Sequence, residues 1–252
     1  MTEAQTAAPA STNARDRLIV ALDVESADEA RRLVTELKEF AGAFKVGLQL
    51  FTAAGPSFVR ELCDDGSKIF LDLKFHDIPN TVAKAGIQAA RTGVWMFNVH
   101  ASGGNEMMHA VVSEVSALCE KQAIDRPKMI GVTVLTSSDQ GTLKQVGIEE
   151  SPADQVMRLV RLAKDSGLDG VVASPRESQL IRAELGSGFT IVTPGVRPIN
   201  ASNDDQKRVM TPSDAIWAGA DLLVIGRPIT ASNNPAAAAQ EILQEIKTAV
   251  NA

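Results

Sequence analysis

RLIVALDVESADEARRLVTELKEF, residues 17–40, holds one complete unit of the fold. RLIVALD (17–23) is a short apolar run rich in branched residues that ends on an acid, the pattern of a strand buried on both faces. From Ser26 the period changes. Ala30, Leu33, Val34 and Leu37 recur at helical spacing and share one face. Ser26 is placed to cap that helix, and Glu29 three positions later completes a capping box.

The unit recurs along the chain. Apolar runs follow at 43–48 (AFKVGL), 68–74 (KIFLDLK), 95–100 (WMFNVH), 129–135 (MIGVTVL), 170–174 (GVVAS), 190–194 (TIVTP) and 221–226 (DLLVIG), with helical segments between them. TPSDAIWAG offers Thr211 as a cap and Pro212 at the first helical position, and the last helix opens with another Pro just after Asn234. Eight strands alternating with helices predict a parallel closed sheet, a single (β/α)8 TIM barrel over residues 17–252. A doubly wound open sheet is disfavoured because no GxGxxG follows the first strand. Residues 1–16 are small and polar with no apolar core, so they read as a loose tail and not a signal peptide.

Composition narrows the function. The chain has 252 residues, 44% of them hydrophobic, enough for one large core. A net charge of -6 argues against nucleic acid or an anionic membrane as partner. No apolar run approaches the roughly 20 residues of a membrane span. Cys63 and Cys119 stand alone, with no His at ligand spacing, and read as buried thiols of a cytoplasmic protein.

In a barrel of this kind, chemistry sits at the C-terminal ends of the strands. Asp23 ends the first strand, Lys45 lies in the second, Asp72 and Lys74 end the third, and His100 ends the fourth. Thr136 follows the fifth, Arg197 the seventh and Arg227 the eighth. Any one of these charges is compatible with a solvated strand end. So many on one rim are not, because charges inside apolar strands are costly unless paired. The densest stretch is LDLKFHDIPNT (71–81), where Asp72 and Lys74 are two apart and so share a strand face, with Asp77 in the loop that follows. Of the other histidines, His76 falls on the opposite face from Lys74, and His109 reads as a helix-surface residue. No cluster of ligands points to a metal.

Barrels often hold a phosphate with the loops after strands seven and eight. Here those loops read TPGVRP (193–198) and IGRPIT (225–230), where Gly195 and Gly226 let backbone approach an anion and Arg197 and Arg227 supply forked donors. Turn glycines beside surface arginines are the alternative. The long polar segment 198–211, PINASNDDQKRVMT, resembles a lid, with Gln206 placed to reach a ligand on closure; an inert surface loop is the other reading.

LDLKFHDIPNTV resembles the signature of the orotidine 5′-phosphate decarboxylase family, enzymes that make UMP from OMP. NVHASGG, VTVLTS and TPGVRP are similar to its bacterial form, and the likeness runs from ALD of the first strand to GRPIT near the C-terminus. The combined D-x-K-x-x-D-I-P-x-T pattern is specific. The resemblance implies a (β/α)8 barrel that decarboxylates OMP with no cofactor and no metal. It implies that Asp23 binds ribose hydroxyls and that Lys45, Asp72, Lys74 and Asp77 form an alternating charge network, with Lys74 stabilising the C6 carbanion and protonating it. Asp77, Ile78 and Thr81 are implied to reach into a partner's site, so a homodimer with two shared sites is expected. Thr136 and Gln206 are implied to contact the pyrimidine or hold the lid. Arg197, Gly226 and Arg227 are implied to bind the phosphate.

Two rivals differ in chemistry. Mg²⁺-dependent keto-gulonate phosphate decarboxylases and hexulose-phosphate synthases share a DxKxxD, but the IPxT continuation and the lack of an added acidic cluster argue against them. A non-catalytic sensor of phosphoribosyl ligands would keep the phosphate grip and has no use for the Asp–Lys–Asp pattern.

Overall fold

The computed structural model describes residues 13–198 and 210–251. Eight parallel strands pair in chain order and close into a barrel: β1 Leu18–Ala21, β2 Ala43–Gly47, β3 Ile69–Phe75, β4 Met96–His100, β5 Lys128–Val132, β6 Gly170–Val172, β7 Thr190–Pro194 and β8 Leu222–Ile225, with β8 back beside β1. Each expected apolar run carries a strand. The fifth and sixth end earlier than their sequences imply, at Val132 and Val172, and release Val134, Thr136 and Ala173 to the rim.

The helices between them are α1 Ala27–Leu37, α2 Leu48–Asp64, α3 Pro79–Thr92, α4 Gly104–Gln122, α5 Gln140–Gln145, α6 Pro152–Asp165, α7 Pro175–Leu185, α8 Pro212–Trp217, α9 Arg227–Thr230 and α10 Pro235–Val250. Their starts follow local chemistry. The Ser26 hydroxyl accepts the Glu29 N–H, the Thr211 hydroxyl accepts the Asp214 N–H, and the Asn234 side chain accepts the Ala237 N–H, the last two ahead of a Pro at the first helical position. Ala30, Leu33, Val34 and Leu37 of α1 are all buried, as their spacing predicts.

The packed part of the chain begins before residue 17, where the sequence places its start. Asn13 caps a 3-10 helix over Ala14–Arg17, Ala14 is buried, and the Arg15 guanidinium donates to the Ala41 and Lys38 carbonyls. Residues 13–16, read from sequence as part of a loose tail, are therefore packed on the barrel. Cys119 is buried, while Cys63 is only half-buried; both are free thiols, and burial pushes the Cys63 thiol up to about 11. Among the described residues, no helix is long and apolar enough to cross a membrane.

Strand alternation divides the core in two. Leu18, Val20, Phe44, Val46, Phe97 and Val99 point outward against the helices. Ile19, Ala43, Phe70, Met96, Ile130 and Val192 point inward and fill the barrel. Two residues further along β2, β3 and β4, the same inward face carries Lys45, Asp72 and Asn98 in place of apolar groups. Chemistry therefore begins where the inner apolar layer stops.

Candidate active site

A chain of alternating charge crosses the mouth of the barrel. Asp23, just past β1, places Oδ1 2.8 Å from Lys45 Nζ on β2. Lys45 Nζ lies 3.5 Å from Asp72 Oδ2 on β3, and Asp72 Oδ1 lies 2.6 Å from Lys74 Nζ. Lys45 is only 8% exposed, so the two carboxylates offset the desolvation of its ammonium. Above this chain lies a cavity of about 200 Å³, lined on one side by Lys45, Asp72, Lys74 and Thr136 and on the other by Val132, Val172, Pro194 and Val224. Three charged side chains, Lys45, Asp72 and Lys74, thus face a partly apolar space, where an electrostatic effect on a bound ligand is stronger than in water.

Lys74 sits in a special backbone position. Its φ is 53°, in the left-handed region that non-glycine residues rarely adopt. The β3–β4 register shifts there, from Leu71 beside Phe97 to Phe75 beside Val99, so Asp72, Leu73 and Lys74 lie opposite the single residue Asn98. Simple alternation does not describe this bulge, yet Asp72 and Lys74 still meet. Asn98, buried at 1% exposed, accepts the Lys74 backbone N–H at 2.8 Å and donates to Asp72 Oδ1 at 2.7 Å. Sequence reasoning missed it. The signal was a lone amide in WMFNVH, in phase with the inward-facing Met96.

His100 caps the same edge. Its ring lies 5.4 Å from that of His76. Burial holds its imidazole below the ordinary value, reinforced by the neighbouring His76 and Lys74, with Asp72 pulling the other way. His109 is exposed on α4, as expected.

The remaining expected residues divide into three groups. Asp77, Ile78 and Thr81 are exposed at the start of α3; Ile78 is 66% exposed, and Asp77 Oδ1 accepts the Ile78 N–H. None of the three lines the cavity of its own chain. On the far rim, Arg197 is buried beyond β7, where its backbone N–H donates to the Met210 carbonyl, and Gly195 before it has a φ of 77°. Gly226 packs beside the first strand: a Cβ there would stand 3.4 Å from that of Ala21 and 3.7 Å from Asp23 Oδ2. Arg227, exposed, opens α9 next to it. Gln206 and residues 199–209 of the expected lid lie outside the described residues. Among the described residues, no group of three or more His, Cys, Asp or Glu is arranged to hold a metal ion.

Comparison with known proteins identifies the family. The family model described as orotidine 5′-phosphate decarboxylase / HUMPS family matches residues 16–242. An orotidine 5′-phosphate decarboxylase of Syntrophotalea carbinolica is 54% identical over 237 residues, covering 94% of this chain and 97% of its own length. That of Moorella thermoacetica is 52% identical over 238 residues, 93% of this chain and 94% of its own. Among solved structures, an orotidine 5′-phosphate decarboxylase from Lactobacillus acidophilus superposes with a TM-score of 0.80 at 36% identity, covering 91% of this chain and 98% of that one. The chain belongs to the orotidine 5′-phosphate decarboxylase / HUMPS family.

Proposed function

We propose that this chain converts OMP to UMP and CO2 by direct decarboxylation without a cofactor, as a step of pyrimidine nucleotide synthesis in the cytoplasm. The observation that carries the reading is the Lys74 ammonium held 2.6 Å from Asp72 in a cavity whose wall is largely apolar, with Val132, Val172, Pro194 and Val224 among its lining.

The chemistry follows from charge. Breaking the C6–carboxylate bond leaves an electron pair in the plane of the pyrimidine ring, where the π system delocalises it poorly. A fixed ammonium beside C6 stabilises that pair without reorganising as the charge develops. Lys74 Nζ then gives C6 the proton that replaces the carboxylate, and the resulting amine regains a proton from solvent. Lys45, set between Asp23 and Asp72, keeps the acids oriented. Asp23 is assigned to the ribose hydroxyls and Thr136 and Gln206 to the pyrimidine. Arg197, Gly226 and Arg227 are assigned to the phosphate, whose remote binding energy is available to raise the rate.

The active unit is proposed to be a homodimer with two shared sites. Asp77, Ile78 and Thr81 belong to the same motif as Lys74 but stand exposed, outside their own cavity. An isoleucine 66% exposed beside such a motif favours a covering partner.

The test is the loss of OMP absorbance on adding metal-stripped protein, with product identified as UMP. Turnover unchanged by chelator and by added Mg²⁺ supports the reading. Turnover only with Mg²⁺ favours the metal-dependent relatives, and OMP binding without CO2 release favours a sensor.

A further inference from the structure

We propose that Asn98 is a positioning residue of the decarboxylase, setting both members of the Asp72–Lys74 pair; this rests on the reading of the cavity as a decarboxylase site. The geometry is local to the bulge in β3. Three residues of β3 face one residue of β4, so the ordinary ladder cannot satisfy the Lys74 N–H, and the Asn98 side chain accepts it at 2.8 Å. The other end of the same amide donates to Asp72 Oδ1 at 2.7 Å, the oxygen that also receives Lys74 Nζ at 2.6 Å. One end of the amide meets a donor and the other an acceptor, so only one orientation satisfies both. Asn98 therefore fixes the acid that holds the ammonium and the backbone from which the lysine side chain departs.

Packing alone does not call for an amide here. The inward positions on β5, β6 and β8 that line the cavity are Val132, Val172 and Val224. At 1% exposure, an amide is tolerated only with its hydrogen bonds made, and Asn98 makes them to the two groups that face the ligand.

The test compares wild type with Asn98→Asp and Asn98→Ala. The Asp variant keeps shape and the acceptor for the Lys74 N–H, but exchanges the donor for a negative charge beside Asp72. Asp23 and Lys45 from β1 and β2, Lys74, and His100 with His76 are the other titratable groups around that carboxylate. For each protein, kcat is expressed per UMP-binding site counted by calorimetry, which removes any misfolded fraction. Both variants are expected to lose kcat on the order of a hundredfold while the KM for OMP and the affinity for UMP move by less than about threefold. In the Asp variant alone, the acid limb of the kcat profile is expected to move to higher pH, because two adjacent carboxylates share a proton. A kcat per site within about threefold of wild type in either variant, or an acid limb that stays in place in the Asp variant, overturns the proposal. Wild type that binds UMP but never converts OMP sinks the decarboxylase reading itself, an outcome told apart by that control.

Discussion

Lys74 holds a left-handed backbone conformation with φ of 53°, which for a long side chain costs about 1 to 3 kcal/mol unless its surroundings enforce it. The enforcing groups are Asn98 and Asp72, and strain of this kind gathers where a side chain must be aimed. Arg227 is the second residue on which the account leans. Its replacement by Ala is expected to lower kcat/KM for OMP on the order of a hundredfold, while unphosphorylated orotidine is handled by variant and wild type alike. Equal activity on OMP would remove its role as a phosphate ligand. His100 gives a pH prediction whose sign is fixed by its burial. Its imidazole is held below 6.5, so the unfolded chain takes up that proton more readily than the folded one. Stability is therefore complete above 6.5 and declines as the pH falls below it, until the folded-state value is passed. In His100→Gln, the drop in Tm between pH about 7.5 and about 5.5 should shrink relative to wild type in calorimetry, and an unchanged drop contradicts the assignment.

At the level of elements, α1 shows how far local chemistry dictates structure. Ser26 is exposed, and its hydroxyl serves the first turn of a helix remote from the cavity. Ser26→Ala is expected to cost about 1 kcal/mol of unfolding free energy in urea titration and to leave kcat unchanged. A loss of kcat per folded molecule would mean that α1 does more than brace the barrel. The strands were legible because burial on both faces makes each an uninterrupted apolar run. The rim was legible because Lys45 and Asp72 break those runs at inward positions. Less was legible where residues act across strands. The bulge in β3 depends on its register with β4, and Asn98 takes its meaning only from facing Asp72 and Lys74. The ends of β5 and β6 are hard to read because Thr133, Val134 and Ala173 have strand propensity or apolar character, and the Thr133 and Ala173 N–H groups still donate to the Val172 and Val192 carbonyls just past the strand ends. Residues 13–16 carry small and polar side chains, and the burial of Ala14 and the Arg15 bonds to Ala41 and Lys38 reveal them as packed.

At the level of the whole molecule, the barrel collects charges from just past β1 and from β2 and β3 into one chain, while Asp77, Ile78 and Thr81 stand exposed at the start of α3. If sites are shared, Lys74→Ala and Asp77→Ala are each nearly inactive, yet a hybrid dimer holds one doubly altered site and one intact one. Random reassociation of equal amounts should recover about a quarter of wild-type activity per dimer. No recovery in a mixture shown to exchange subunits would contradict sharing. In the proposed reaction everything turns on the Lys74 ammonium meeting C6. The most direct measurement is single-turnover conversion of OMP by Lys74→Ala beside its affinity for UMP. Turnover is expected to fall by several orders of magnitude with UMP still bound, and turnover close to wild type would contradict the role of Lys74.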